Sequence, residues 1–396
     1  MHHHRRILFV ASIFGILLVG AAKPTAHKPL TSKYTYNDDA FPVLRERCGR
    51  CHAEGGVAPM SLTTYTDTLP WAESIRAELL AGHMPPWRVD GVPGKFRNVS
   101  MLTPHELDVL LTWVTGGTPI GDSTEATPIR SSRTWTLGSP DLLLPLPQVT
   151  FGQSSRDEVK EFRIPTGIAE TRRIRAVDLM PGTPSIVRSA TISVATISLG
   201  RTGDVGEQIL SLWQPGDDPI AFEGGSAFLL RPESTLTVRV RYKKDWRREQ
   251  STANDRSIVG LYFTSAPAQE LQSLTLAAPP ETNWSPQKRL SFTQTVDRNL
   301  TAVAIYPDPA LSAAKVRVDA VWPNGSREEL IAFRPRSEWA KRYWFTEPVD
   351  LPRGTRIEIA AEPDDSLLAP EAPRIPAPLP DPATLRLTLD VLVSTP

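Results

Sequence analysis

Cys48-Gly49-Arg50-Cys51-His52 is the stretch on which the reading of this chain turns, and it holds both of the cysteines present. Residues three and four apart share one face of a helical turn. Cys48 and Cys51 can therefore reach one porphyrin edge as thioethers while His52 offers its imidazole to the iron, which is the c-type haem attachment pattern. Three other readings compete. A structural zinc site draws four ligands from cysteine and histidine, and no further cysteine exists to complete a usual set. A redox dithiol of the thioredoxin kind expects a βαβ setting, which the flanking sequence lacks. A plain local disulfide leaves the adjacent histidine without a role. The expectation is one covalent haem c, with Cys48 and Cys51 as its attachment points and His52 as the proximal iron ligand.

Upstream, Arg5-Arg6 followed by the apolar run from Ile7 to Val19 and the small residues Gly20-Ala21-Ala22 read as a signal peptide over residues 1–22. The run is shorter than the ~20 residues needed to span a bilayer. No later run is long and apolar enough, so no membrane span is expected after signal removal. Export to the periplasm or beyond suits covalent haem attachment. Equal numbers of basic and acidic residues, 44 of each, argue against a generally cationic nucleic-acid binder. At 396 residues the chain is long enough for two or three domains.

Around the motif the pattern is helical. Asn37-Asp38-Asp39 can cap a helix whose apolar positions Phe41, Val43 and Leu44 lead into Cys48. Pro70 suits the first turn of a second helix with Trp71, Ile75 and Leu79 on one face and Gly82 as its stop. Thr103-Pro104-His105-Glu106 is a capping box opening a third helix with Leu107, Leu110, Leu111 and Val114 as its buried stripe. That order predicts a small helical domain of the class I cytochrome c type over residues 36–122. The sixth iron ligand has four candidates. Met84, in the His83-Met84-Pro85-Pro86-Trp87 loop, is best placed to cross to the distal face, and Met60, Met101 and His83 are the others. Trp87 and Trp113 are candidates to pack on the porphyrin, or plain core.

From Thr118 to Arg133 the composition turns to Thr, Ser, Pro and Gly, and residues 123–134 read as a linker. Beyond them lie runs rich in β-branched residues: Ile186 to Leu199, Ser234 to Tyr242, Ser257 to Thr264, then Ser273 to Leu276, Leu300 to Tyr306, Lys315 to Trp322, Glu328 to Phe333, Arg356 to Ala361 and Leu385 to Val393. Pro323-Asn324-Gly325 is a hairpin turn, and Ala369 to Pro382 an extended tether. Short strands at this spacing predict two antiparallel β-sandwiches, 135–266 and 270–396. The expected fold class is thus multidomain, α plus all-β: a helical cytochrome c domain followed by two jelly-roll-like sandwiches.

The run from Cys48 to His52, with Gly55-Gly56-Val57-Ala58-Pro59-Met60, Pro70-Trp71, Met84-Pro85-Pro86-Trp87 and Trp113-Val114, resembles bacterial cytochrome c domains fused to copper type II, ascorbate-dependent monooxygenase-like domains. The resemblance implies His52 as proximal and Met84 as distal ligand. A weaker likeness to the two-sandwich monooxygenase fold covers about 135–393, through Trp135 to Asp141, Pro181-Gly182, Pro215-Gly216, Asp255 to Leu261 and Leu351 to Thr355. The departures from it are chemical. Arg188-Ser189 stands where that family has a histidine pair, Arg241 where it has a histidine, and Tyr306-Pro307-Asp308-Pro309 about where it has a His-Met-His run. The last strand lacks the family's methionine. All seven histidines lie at or before His105, and past that point Met180 is the only methionine. Imidazole is the usual copper ligand, so no copper and no hydroxylation are expected of the β region.

The acidic pairs Asp38-Asp39, Asp217-Asp218 and Asp364-Asp365 read as turns or caps. The basic run Arg239 to Arg248 reads as a solvated hairpin end or a patch for an acidic partner. The function these readings imply is one-electron transfer with a redox partner protein, the copper-less β region serving as a docking scaffold. A haem-containing, copper-dependent monooxygenase and a non-enzymatic haem sensor are the alternatives.

Overall fold

The computed structural model describes residues 31–393 apart from 88, 91–93, 98, 100, 123–133, 154–156, 198–204, 223–224, 283, 286–287, 312–313 and 365–383. The expected signal peptide, the linker except Thr134, the tether and Asp365 lie outside the described residues.

The motif follows a short helix. Thr35 caps a single turn over Tyr36–Ala40, which continues into helix α1, Phe41–Arg47. A four-residue helix α2, Tyr65–Thr68, leads through a tight turn into α3, Ala72–Leu80, which stops before Gly82 at a positive φ of 66°. Helix α4, Pro104–Thr115, opens on the capping box expected at Thr103 and Glu106, with both reciprocal bonds formed. Tyr36, Phe41, Leu44, Leu62, Leu110 and Trp113 form the small core these helices share. Arg47 ties the end of α1 to the start of α4 through Glu106 at 2.9 Å.

The expected fold class does not hold. Strands take 43% of the described residues and helices 15%, and only α3 and α4 reach eight residues. No free-standing class I cytochrome c helical domain forms over 36–122. The reason lies after α3, where Pro85-Pro86 stop any helix. The chain then runs extended, and Val89–Asp90 pairs antiparallel with Phe333 and Ala332 on the strand Arg327–Phe333. Phe96 bridges Phe345, and the Arg97 N–H donates to the Trp344 carbonyl at 2.9 Å. Val89, Asp90, Phe96 and Arg97 are therefore part of the β assembly.

That assembly consists of several small sheets in two lobes. In the first, a five-stranded sheet includes Arg172–Met180 and Ile258–Thr264, and a four-stranded sheet includes Val187–Ile197, Val205–Trp213 and Thr235–Lys243. Ile174, Leu179, Ile192, Val238 and Leu261 fill the space between them. In the second, the sheet containing Ala314–Val321 and Arg356–Pro363 faces the one containing Leu300–Pro307 and Arg386–Val393 across Val318, Ile331, Ile359, Ile305 and Leu389. The hairpin at Pro323-Asn324-Gly325 forms, closed by Trp322 N to Ser326 O at 2.9 Å. The border is not clean: Val303, Ala304 and Trp344 of the second lobe pack into the core of the first.

Candidate functional site

The Cys48–His52 stretch forms a single tight turn at the end of α1. Cys48 N donates to Leu44 O at 2.9 Å, and His52 N donates to Cys48 O at 2.8 Å. The chain then folds back: Ala58 N reaches Cys51 O and Leu62 N reaches His52 O. Gly56 is needed inside this loop, because a Cβ there would sit 2.5 Å from the Cys51 carbonyl oxygen. Cys48 and Cys51 are both free thiols. Burial pushes each up to about 12, assisted by the neighbouring thiol for Cys48 and by Asp217 for Cys51. Neither is a thiolate at neutral pH, which disfavours a reactive dithiol.

His52 Nδ1 lies 3.3 Å from the Met60 carbonyl oxygen. A carbonyl only accepts, so Nδ1 carries the proton and Nε2 keeps its lone pair. Burial lowers the imidazole below its ordinary value, so the ring is neutral and able to ligate a metal. Two unbridged thiols and a neutral imidazole with a fixed tautomer are the donor set covalent haem requires, and the residues present fit it.

The distal candidates are spread out. Met84 follows α3, its backbone N–H on Glu78 O, and its side chain is 38% exposed. Neighbouring His83 contacts Glu78 Oε2 at 3.2 Å through Nδ1. Met60 packs beside Cys48 against the helical core, and its carbonyl already serves His52. Met101 is half-buried directly before α4. Trp113 is a core residue, fully buried against Tyr36 with its indole N–H on Pro119 O. Trp87 lies under the Lys341 ammonium at 4.9 Å.

What sequence reasoning missed is the surface against which the motif rests. Cys51 Sγ is 3.3 Å from the Pro215 carbonyl oxygen, and Arg50 donates to Gly216 O at 3.1 Å and to Asp218 Oδ2 at 2.6 Å. Asp217 in turn takes the buried Lys341 ammonium on both oxygens at 2.6 Å. Asp217-Asp218 thus carries ion pairs from two different parts of the chain and is more than a turn. The only sequence signal was the Pro-Gly-Asp-Asp run itself; nothing local marks Lys341 as its partner.

At the positions the resemblance gives to copper-binding histidines, the arginines are engaged. Arg188 donates Nε to Lys243 O at 3.0 Å and Nη1 to the Val57 carbonyl in the motif loop. Arg241 grips Asp157 with Nε at 2.9 Å and Nη2 at 2.5 Å. Among the described residues no three His, Cys, Asp or Glu side chains gather as a metal cage. The basic run is internally neutralised: Arg239 pairs with Glu207 and Glu161, Arg248 with Asp245, and Lys244 is buried on backbone carbonyls. Trp246 and Arg247 are its exposed remainder. Asp38 and Asp39 serve the Thr35 cap, and Asp364 is buried against Arg334 at 3.7 Å.

No family model matches the chain, and no curated protein matches it. Solved structures that match include a proposed α-L-fucosidase of Bacteroides ovatus, 13% identical over 56% of this chain with a TM-score of 0.18. The chain spans 36% of that protein's length. The major capsid protein P2 of bacteriophage PM2 is 11% identical over 63% of this chain and 98% of its own, with a TM-score of 0.26. A fucolectin from striped bass serum is 8% identical over 63% and 85%, with a TM-score of 0.15. At such scores these likenesses bear on neither fold nor function. Among the described residues no helix is long and apolar enough to cross a membrane.

Proposed function

We propose that this protein is an exported carrier of one covalent haem c, held by Cys48 and Cys51, ligated by His52 with Met84 opposite, and used for one-electron transfer. The observation that carries the reading is the His52 Nδ1 contact with the Met60 carbonyl, which leaves Nε2 as the ligating nitrogen. Bound haem supplies a one-electron couple at its iron. The chain supplies the rest. Cys48 and Cys51 furnish the thioether sulfurs, and the Met60 carbonyl orients the imidazole and raises its basicity. The Pro215–Asp218 loop and Arg188 brace the motif from the β region, which acts as the docking scaffold. The resemblance of the motif region to haem domains fused to copper type II monooxygenase-like domains, with arginines at the expected copper-ligand positions 188 and 241, supports this division of labour. The electron is exchanged with a redox partner protein, and residues 1–22 direct export.

The test is expression with a c-type maturation system, denaturing electrophoresis and haem-peroxidase staining. The wild type gives a stained band, and the Cys48→Ala, Cys51→Ala double variant gives none. An unstained wild-type band from a host that matures a control cytochrome would end the proposal.

A further inference from the structure

The two axial ligands proposed above, His52 and Met84, lie on segments held by different β lobes. His52 follows Cys51, whose Sγ is 3.3 Å from the Pro215 carbonyl oxygen, and Arg50 is tied to Gly216 and Asp218 in the same first-lobe loop. Arg188, also of the first lobe, donates to the Val57 carbonyl. The segment after Met84 is anchored on the second lobe instead. Asp90 pairs with Arg334 at 3.0 Å, Val89 and Asp90 add to the strand Arg327–Phe333, and Trp87 lies under the Lys341 ammonium at 4.9 Å. On its other side Met84 leaves α3 with its N–H on Glu78 O. Only Pro85 and Pro86 separate Met84 from Trp87. Proline fixes φ, so a displacement of the indole passes to Met84 with little slack.

Lys341 joins the two halves. It stands just before the second-lobe strand Tyr343–Leu351, is 1% exposed, and meets both Asp217 oxygens at 2.6 Å in the first-lobe loop that supports Cys51. Desolvating an ammonium is costly, and an apolar pair of similar volume would serve stability as well. What the charge adds is direction. The ammonium is drawn to the Asp217 carboxylate on one side, and the face of the Trp87 ring is drawn to the ammonium on the other.

We propose that Lys341 is the positioning residue for the distal ligand: clamped by Asp217, it fixes Trp87 and through it the place of Met84. The seating of one lobe on the other thereby sets how firmly the sixth position of the iron is held. This inference rests on the haem c reading above, with Met84 as the distal ligand.

The test uses the full haem-loaded chain. Haem-peroxidase staining reports haem content, the far-red absorption reports methionine ligation, and titration with imidazole reports how readily the sixth position of ferric iron is taken over. Three variants break the clamp: Lys341→Met, the double variant Asp217→Asn with Lys341→Met, which leaves no unpaired carboxylate, and Trp87→Leu. Each should stay stained, lose far-red absorption and bind imidazole about tenfold more tightly, the size of a desolvated cation–π contact. Trp87→Phe, which keeps an aromatic face under the cation, should stay close to the wild type. So should Arg298→Gln, which breaks an exposed ion pair with Asp297 elsewhere in the second lobe. Because Lys341 acts through Trp87, adding Lys341→Met to Trp87→Leu should not tighten imidazole binding further. An unstained wild type ends the haem reading and this inference with it. A stained wild type that lacks the far-red absorption, or whose clamp variants bind imidazole as it does, overturns the inference and leaves haem attachment standing. Additive effects of Lys341→Met and Trp87→Leu would overturn it equally.

Discussion

Replacing Gly216 by alanine tests whether the Cys48–His52 turn is braced by the β region, because two costs can be separated there. Gly216 has a φ of +82°, where an L side chain is strained by about 1 kcal/mol. An alanine Cβ would also stand 2.8 Å from Arg50 Cβ and 3.4 Å from Cys51 Sγ. Both neighbours belong to a backbone turn that cannot swing aside, so overpacking adds about 1–3 kcal/mol. Gly138 is the control: its φ is +78°, and nothing lies within 4 Å of the Cβ it would gain. Gly138→Ala should therefore show the conformational cost alone, and Gly216→Ala that cost plus the clash. The measurements are urea unfolding followed by tryptophan fluorescence and, on protein made without haem maturation, the rate at which Cys51 reacts with a thiol reagent in a Cys48→Ala background. Gly216→Ala should lose about 1–3 kcal/mol more than Gly138→Ala and should alone accelerate labelling of Cys51. Equal losses and equal labelling rates would mean that the turn does not rest on Gly216.

Asp178 is buried, and burial lifts its carboxyl to about 6 although Leu179 N and Trp213 Nε1 donate to it. With the folded value raised, the native state holds the extra proton between about pH 4 and 6, so stability falls as pH rises through that window and is level above it. Asp178→Asn keeps an amide oxygen for both donors and removes the ionisation. It should gain up to about 3 kcal/mol at pH 7 and nothing at pH 3.5 by urea unfolding, and a loss at pH 7 would contradict the assignment. Thr103→Ala removes the hydroxyl half of the capping box on α4, leaving the backbone N–H bond to Glu106, and should cost about 1 kcal/mol, whereas a change below about 0.3 kcal/mol would show the cap to be redundant. In haem-loaded protein, Met84→Ala should abolish the weak far-red absorption of methionine-ligated ferric iron and Met101→Ala should spare it; the reverse result would move the distal ligand to Met101.

The strands were legible where burial repeats in the sequence. The runs at Ile186, Ser234, Leu300, Lys315 and Leu385 lie within a residue or two of observed strands, because β-branched side chains on a two-residue period leave little choice of conformation. The Thr103 cap and the Gly325 hairpin were legible for the same local reason. What misled was extrapolation from the motif outward. Three short helical patterns around a haem-type sequence suggested a separate helical domain, yet Val89, Asp90 and Arg97 find their hydrogen bonds on Arg327–Phe333 and Trp344, more than two hundred residues away. Pairing at that distance leaves no periodic trace. The brace behind the motif was hidden likewise: Asp217, Asp218, Arg188 and Lys341 are individually ordinary, and only the fold brings them to Arg50, Cys51 and Val57.

The pairing of Val89–Asp90 on Arg327–Phe333 governs how the chain can be divided. Val89–Asp90 covers Ala332 and Phe333 at the border of the five-stranded sheet, and without it those two residues would extend the row of unpaired amides and carbonyls along that border. Such borders recruit other chains. A fragment beginning at residue 135 would expose that row and leave Phe345 without Phe96 across from it. Such a fragment should self-associate even if every strand within it forms, so the segment that follows α3 doubles as a guard against aggregation of the part it was expected to stand apart from.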